Sequence, residues 1–254
     1  MTHTSHTPEL AAPSLAPAQK NGINLAAAAH LLIDVMPYPD MDVGDVIELF
    51  WNSCYVASRV LSAEDVSTSI SLRVPESFIA SGAAQIHYRV MQIGQEPALS
   101  ATTAVQVKLD CPGGQPSTLS SDENQQLAPV TLPDTIRRQG VNPNQIKRGV
   151  PLTIEPYVNM AEDDEITLRW GDVRMDLPRI TAADIGQTIQ VWVPSAIIVE
   201  GGEDLRLDVT YCILDRVGNN SRWAPARTVK IGCGNPYLKV PLRPQLKAAE
   251  TLKN

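Results

Sequence analysis

The sequence predicts an all-β chain made of two copies of one β-sandwich domain, and three observations lead to this prediction. Its 254 residues include 20 prolines and 15 glycines but only two phenylalanines, a composition typical of many short elements separated by turns. Apolar residues alternate with polar ones, with the period of two that a half-buried strand requires. The third observation is an internal repeat that spans most of the chain.

The repeat is clearest in the middle of each copy. Residues 37–79 align without a gap on residues 156–198, an offset of 119, with 13 identities in 43 positions. The match extends upstream, where Gly22-Ile23-Asn24 meets Gly140-Val141-Asn142. Downstream, Tyr88 meets Tyr211 after a four-residue insertion near Glu203, and residues 107–111 match residues 229–233. An insertion in a turn leaves the strands on either side unchanged. The two copies are therefore predicted to share one fold.

Each copy contains about seven short predicted strands. In the first copy they cover residues 31–36, 47–51, 70–74, 85–91 and 103–109, with short pieces near Ile23 and Tyr55. Seven strands in about 100 residues, with turn signals between them, predict two tandem immunoglobulin-like β-sandwich domains. The predicted boundaries are a flexible segment at 1–20, sandwiches at 21–111 and 128–234, a polar linker at 112–127 and an extension at 235–254.

Charge and hydropathy exclude several classes of partner. The formal net charge is −7 and the sequence pI is near 5.1, which argues against nucleic acid and anionic membrane surfaces as partners. No apolar run approaches the ~20 residues of a spanning helix, which argues against membrane insertion. Residues 1–20 contain no apolar signal-peptide core, so we expect a chain that is cytoplasmic as made, or one exported by a non-Sec route or surface-associated.

A family resemblance is carried by a succession of short motifs. These are Gly-Ile/Val-Asn, Pro-Tyr-x-Asp/Asn-Met, Asp-x-Ile-x-Leu-x-Trp, Val-Pro, Tyr, and the segment from Asp215 through Gly218-Asn219 to Pro225. Between Gly22 and Cys233 the chain resembles the tandem Ig-like repeats of bacterial surface and adhesin-like proteins, and its Trp and Tyr placement is similar to fibronectin type III modules. The resemblance implies a spacer or binding module and no active site.

Motifs for catalysis are absent from the sequence. The four histidines, His3, His6, His30 and His87, are too scattered for a metal triad or a catalytic pair. There is no nucleophile elbow, zinc-protease helix motif, phosphate loop or dinucleotide fingerprint. A non-enzymatic protein without a cofactor is therefore predicted. A bound calcium ion remains an open alternative.

The calcium alternative rests on two acidic turns that occupy equivalent places in the repeat. One turn carries Asp40, Asp42 and Asp45, and the other carries Glu162, Asp163 and Asp164. Carboxylate oxygens are suitable calcium ligands, but the spacing is not that of an EF-hand. A solvated turn is therefore favoured over a calcium site.

Aromatic and cysteine residues divide into core and candidate surface positions. Trp51, Trp170, Tyr88 and Tyr211 lie in phase with apolar neighbours and are predicted core residues. The cysteines Cys54, Cys111, Cys212 and Cys233 do not form a shared disulfide pattern, and free, partly buried thiols are predicted. Exposed aromatic residues on loops often mark binding surfaces, so the predicted binding residues are Trp223, Arg222, Asn219 and Trp192.

Two functions remain open from the sequence. The first is an adhesion-type module that recognises a protein or glycan on a cell surface through loops at the sandwich ends, chiefly the 215–225 hairpin. The second is a structural spacer or accessory subunit of a larger toxin, secretion or surface assembly.

Overall fold

A computed structural model describes residues 10–115 and 122–232. The chain divides into two compact units: unit 1 comprises Met1–Cys111 with Asp215–Asn220, and unit 2 comprises Pro112–Leu214 with Ser221–Asn254. Each unit contains two antiparallel sheets around its own apolar core. The predicted all-β fold of two Ig-like sandwiches is confirmed. Among the described residues, no helix is long and apolar enough to cross a membrane.

The described part of unit 1 has seven strands, a short helix and two 3-10 turns. The 3-10 turns cover Pro17–Gln19 and Glu76–Phe78, and helix α1 covers Leu25–Ala28. One sheet pairs β1 (Leu32–Val35) with β4 (Ile70–Arg73). The other sheet has the order β3-β2-β5, and β5 also pairs with β6 and β7. Its strands are β2 (Val46–Trp51), β3 (Cys54–Val60), β5 (Gly82–Met91), β6 (Ala98–Leu99) and β7 (Thr103–Val107).

Unit 2 repeats this plan with longer helices. A two-stranded sheet pairs β8 (Val150–Ile154) with β11 (Ile189–Val193), and a four-stranded sheet has the order β10-β9-β12-β13. The four strands are β9 (Glu165–Trp170), β10 (Val173–Asp176), β12 (Asp204–Leu214) and β13 (Arg227–Ile231). The helices are α2 (Asp134–Gln139), α3 (Pro143–Arg148) and α4 (Ser195–Gly201).

The central strand pair of each unit buries the predicted aromatic core. Leu49 pairs with Tyr88 in unit 1, and Leu168 pairs with Tyr211 in unit 2. Trp51 and Trp170 follow two positions later on the same inner face, so all four aromatic side chains are at most 2% exposed. The inner face alternates with an outer face along each strand, which leaves residues such as Phe50 and Arg169 pointing outward.

The repeat extends further upstream than the sequence predicted. In unit 1, Leu10 forms a parallel bridge with Ser100 and Ser14 an antiparallel bridge with Asp34. In unit 2, Glu123 bridges Trp223 and Thr131 bridges Thr153 in the same two ways. Residues of the predicted flexible segment 1–20 and of the predicted linker 112–127 therefore make backbone bridges to the sandwiches where they are described. The predicted extension at 235–254 lies outside the described residues.

The end of the repeat also differs from the sequence alignment. Ile23 bridges Val107 in unit 1, and Val141 bridges Ile231 in unit 2. The structural offset at the last strand is therefore 124 residues (107 to 231), two more than the sequence match of Val107 with Val229. Strand register sets equivalence more firmly than a short similar segment does. Cys233, which the sequence match aligns with Cys111, lies outside the described residues.

A buried tyrosine–aspartate hydrogen bond closes the same turn in both units. Tyr38 Oη donates to Asp45 Oδ2 at 3.0 Å, and Tyr157 Oη donates to Asp164 Oδ2 at 2.9 Å. Each carboxylate also accepts a backbone N–H from within its turn, from Asp42 or Ala161. The turn therefore enters the tryptophan strand in one fixed geometry in each unit.

We expect Tyr157→Phe to destabilise the protein, because it removes the hydroxyl donor from the buried Asp164 carboxylate while keeping the ring. The loss of one donor to a buried charged acceptor costs about 1–3 kcal/mol of unfolding free energy. Urea unfolding followed by tryptophan fluorescence measures the loss. Tyr55→Phe is the matched control and should cost clearly less, because the Tyr55 hydroxyl donates only to the exposed Ser58, which water can reach. Equal stability of the Tyr157 and Tyr55 variants would contradict the assignment.

We also expect stability to fall at alkaline pH. Burial, with the Asp45 and Asp164 carboxylates as further causes, raises the pKa of Tyr38 and Tyr157 above the ordinary 10.0, and burial raises the pKa of Tyr211. The unfolded chain therefore loses these protons first, so the stabilisation is fully present below about pH 10 and is lost as pH rises further. Unfolding free energies measured from pH 8 to pH 12 should show this fall, and Tyr157→Phe should reduce its slope.

Candidate functional site

Trp192 is exposed, but its indole N–H is used inside unit 2. The side chain is 57% exposed, and Nε1 donates to the Arg148 carbonyl at the end of α3 at 2.9 Å. In unit 1 the equivalent side chain, Arg73, donates to the equivalent carbonyl, that of Ala29, at 3.1 Å. Both residues satisfy a carbonyl that the end of a helix leaves without an intrahelical partner. Trp192 therefore has a structural role that the sequence did not predict.

Asn219 is buried and belongs to a polar cluster within unit 1. Its Nδ2 donates to the Lys108 carbonyl at 2.8 Å and to Asp215 Oδ2 at 2.9 Å, and its Oδ1 accepts the Leu25 N–H at 2.9 Å. Asp215 also lies 2.9 Å from Lys108 Nζ. Its polar atoms therefore already have partners inside the fold, which gives Asn219 a structural role that the sequence did not predict.

Trp223 is half-buried on the outer face of the four-stranded sheet of unit 2. The guanidinium carbon of Arg169 lies 4.7 Å from the ring centroid and that of Arg174 lies 5.7 Å away. The Trp223 backbone donates to Asp122 and accepts from Asn124. Arg222, beside it, is also half-buried and has a φ of 62°. Arg222 and Trp223 were expected to be exposed, but both are half-buried, because the Trp223 ring covers the arginines of the four-stranded sheet in unit 2.

The acidic turns do not assemble a calcium site. Asp45 and Asp164 are buried and accept the tyrosine hydroxyls, whereas Asp40, Asp42, Glu162 and Asp163 are exposed. Across residues 10–115 and 122–232, no group of three His, Cys, Asp or Glu side chains is placed to hold a metal. The calcium alternative is therefore not supported, because the inward carboxylate of each turn is held by its own tyrosine and backbone.

The described cysteines differ in exposure, and none of them forms a disulfide. Cys54 is an exposed free thiol and Cys212 is a half-buried one, and Cys233 lies outside the described residues. Burial raises the pKa of the Cys111 and Cys212 thiols. A raised thiol pKa lowers the fraction of reactive thiolate, so neither position is suited to nucleophilic chemistry at neutral pH.

The outer face of the large sheet in unit 1 carries a row of rings that the sequence analysis missed. Tyr55 and His87 both pair with Phe50, on β3 and β5 respectively. The Phe50 and His87 rings are stacked with centroids 5.0 Å apart, and Phe50 meets Tyr55 edge-on at 6.3 Å. Alternation around Phe50 was visible in the sequence, but the strand partners that bring the three rings together were not.

Apolar and charged side chains flank this aromatic row. Glu48 pairs with Arg89 across the strands, and Arg89 Nε donates to Glu48 Oε2 at 2.8 Å. Arg89 also lies over the Phe50 ring, with 5.6 Å between the guanidinium carbon and the centroid. Leu99 pairs with Arg89 and is 59% exposed, and Val60, at the end of β3, is 64% exposed. We call the surface of Tyr55, Phe50, His87, Arg89 and Leu99 the unit 1 outer face.

The same positions in unit 2 carry a different surface. Phe50 and Tyr55 correspond to Arg169 and Arg174, which are paired in the same register. Ser100 N–H donates to the Tyr88 carbonyl as Ala224 N–H donates to the Tyr211 carbonyl, so Leu99 is the residue of unit 1 that corresponds to Trp223. Unit 2 therefore covers two arginines with its own tryptophan, whereas unit 1 has the smaller, exposed Leu99 at that place and leaves its rings without such a cover. The unit 1 outer face is the candidate functional site for this reason.

Three solved structures illustrate what the chain is similar to. A Ca²⁺-stabilised adhesin that helps an Antarctic bacterium bind ice aligns over 87% of this chain and 48% of its own, with 16% identity and a TM-score of 0.40. A 1.5-MDa bacterial ice-binding adhesin aligns over 87% and 64%, with 14% identity and a TM-score of 0.37. Fibronectin(III)-like modules of Clostridium thermocellum CbhA align over 89% and 90%, with 10% identity and a TM-score of 0.38.

These structures belong to the two groups that the sequence resembles, adhesins and fibronectin type III-like modules. The chain spans about half of the first structure and less than two thirds of the second. No protein-family model and no curated protein matches the chain. The assignment of a candidate site therefore depends on the geometry of the chain itself.

We expect Trp192→Phe to lower stability without changing any binding activity, because phenylalanine keeps an exposed ring but cannot donate to the Arg148 carbonyl. The loss of one hydrogen bond costs about 0.5–1.5 kcal/mol, measurable by urea unfolding. Arg73→Met should have a similar effect through the Ala29 carbonyl. Leu205→Ala is a control, since Leu205 is also exposed, at 58%. Loss of binding with unchanged stability would restore Trp192 as a binding residue.

Proposed function

We propose that this chain is a non-enzymatic, adhesion-type binding module that recognises a protein partner at a cell surface through the unit 1 outer face. The observation that carries the proposal is the difference between the two copies of one scaffold. Unit 2 covers its outer face with Trp223, and unit 1 leaves Tyr55 and Leu99 more than half exposed on the equivalent face. Exposed apolar side chains that lie next to one another are typical of an interaction surface.

The chemistry of the face favours a protein over a glycan. Tyrosine, phenylalanine and arginine are enriched in the centres of protein interfaces, and Tyr55, Phe50 and Arg89 adjoin one another here. A sugar platform would need free ring faces, but His87 stacks on Phe50 and Arg89 lies over the same ring. The Glu48–Arg89 pair supplies one donor and one acceptor group beside the rings, which suits a mixed polar and apolar partner surface.

Tyr55→Arg tests the proposal by giving unit 1 the residue that unit 2 has at Arg174. We expect the labelled full chain to bind intact bacterial cells saturably and Tyr55→Arg to lose at least about tenfold in affinity, the equivalent of 1.4 kcal/mol. Leu99→Ser, on the same face, should also weaken binding. Flow cytometry of cells treated with protease, or with periodate to oxidise glycans, identifies the class of partner.

Leu205→Ser is the matched control, because Leu205 has nearly the same exposure as Leu99 but lies on β12 of unit 2. Trp223→Ala provides a second control on the face that the protein covers itself. Binding that survives Tyr55→Arg and Leu99→Ser, or that periodate abolishes and protease does not, would overturn the proposal.

A structural spacer within a larger assembly is the second candidate, and one observation favours it. Trp192, Trp223 and Asn219, which the sequence suggested as ligand contacts, are all used in contacts inside the fold. A pure spacer predicts no saturable cell binding by the isolated chain, with or without substitutions at the outer face. The flow-cytometry measurement therefore separates the two functions.

A further inference from the structure

Two arginines lie directly opposite each other on the outer face of the four-stranded sheet in unit 2. Arg169 on β9 pairs with Arg174 on β10, so both side chains leave the sheet on the same side. Their guanidinium carbons lie 4.7 Å and 5.7 Å from the centroid of the Trp223 ring. Like charges at directly opposed positions repel each other. The cation–π contacts with the ring offset part of that repulsion but supply no negative charge.

Neither guanidinium group has a hydrogen-bond acceptor within the part of the chain that the structure describes. Across residues 10–115 and 122–232, no carboxylate or carbonyl accepts a hydrogen bond from the side chain of Arg169 or Arg174. Of the Arg169 guanidinium nitrogens only Nε is fully buried, so the two terminal nitrogens keep surface that a bound group can reach. Arg174 is an exposed residue. Both arginines therefore have accessible N–H donors that no described residue uses.

The carboxylates on the same two strands have other partners. Asp176 Oδ1, on β10, accepts the Thr167 hydroxyl at 2.7 Å. Glu165, at the start of β9, forms an ion pair with Arg179. The positive charge of the arginine pair is therefore not neutralised by its own strands.

Unit 1 balances its charges at the equivalent positions. There Glu48 pairs with Arg89 across the strands, and Arg89 Nε donates to Glu48 Oε2 at 2.8 Å. The register of the central strands places Thr167 and Cys212 at these positions in unit 2. Unit 1 thus has one arginine beside one glutamate, whereas unit 2 has two arginines and no glutamate. Folding does not explain this difference, because opposed like charges weaken a sheet.

We propose that Arg169 and Arg174 bind a tetrahedral dianion, phosphate or a phosphate monoester, beside the Trp223 ring. Two guanidinium groups balance the two negative charges, and each presents parallel N–H donors that match phosphate oxygens. A carboxylate carries one charge and would leave one arginine unbalanced. Free phosphate and a phosphate ester on a larger molecule share this chemistry. The site lies on unit 2 and does not depend on the function proposed for the unit 1 outer face.

Titration of the full chain with inorganic phosphate and with glucose 6-phosphate, followed by protein NMR at constant ionic strength, tests the proposal and separates the two sources. We expect saturable shifts of the Trp223 indole signal, and the probe that binds more tightly identifies the source. Acetate, a monoanion, should bind about tenfold more weakly than that probe. Arg174→Tyr copies Tyr55 of unit 1 and should weaken phosphate binding about tenfold.

Arg138→Tyr is the matched control, because Arg138 is also an exposed arginine of unit 2 but lies on α2. It should leave phosphate affinity unchanged. Arg174→Tyr alters only an exposed side chain, and thermal unfolding verifies that the variant is folded. Absence of saturable shifts with both phosphate probes would overturn the proposal. Equal affinity in the Arg174 and Arg138 variants, or acetate binding as tight as phosphate binding, would also overturn it. The titration uses no cells, so failure of the cell-binding proposal does not affect this one.

Discussion

The pairing of the two central strands in each unit is the constraint on which the rest of the structure depends. When Leu49 pairs with Tyr88, and Leu168 with Tyr211, the inner face receives a tryptophan and a tyrosine in both units. A slip of one residue would turn all of these side chains outward, so the buried apolar surface fixes the register. The buried Tyr38–Asp45 and Tyr157–Asp164 hydrogen bonds then set how the chain enters those strands.

The same register determines what the outer face can carry. Because the scaffold needs only the inward residues, the outward positions are free to diverge, and they have become three rings in one unit and two arginines beneath a tryptophan in the other. The comparison of two copies of one fold within one chain is therefore informative. A position that differs while its neighbours keep their contacts is not explained by folding alone, and this reasoning identifies the unit 1 outer face.

Structural demands explain several residues that look functional in the sequence. Trp192 is an aromatic residue and Arg73 a charged one, but each has an N–H donor. Each donates to the equivalent carbonyl at the end of a helix, that of Arg148 or Ala29. Asp45 and Asp164 have the side chains of calcium ligands, but they hold a turn together. An exposed or charged residue therefore has to be considered together with the backbone groups it satisfies before it is assigned to a ligand.

The sequence by itself determined the all-β class, the two copies and the aromatic core, because period-two alternation and 13 identities in 43 aligned positions are visible without knowing which strands pair. It could not determine that Leu10 and Ser14 bridge the sandwich of unit 1, since their partners Ser100 and Asp34 lie far along the chain. Only the tertiary structure placed Tyr55, Phe50 and His87 in one row and buried Asn219. Those outcomes depend on which distant strands meet, and pairing between distant strands is set by the packing of the whole core rather than by any local pattern.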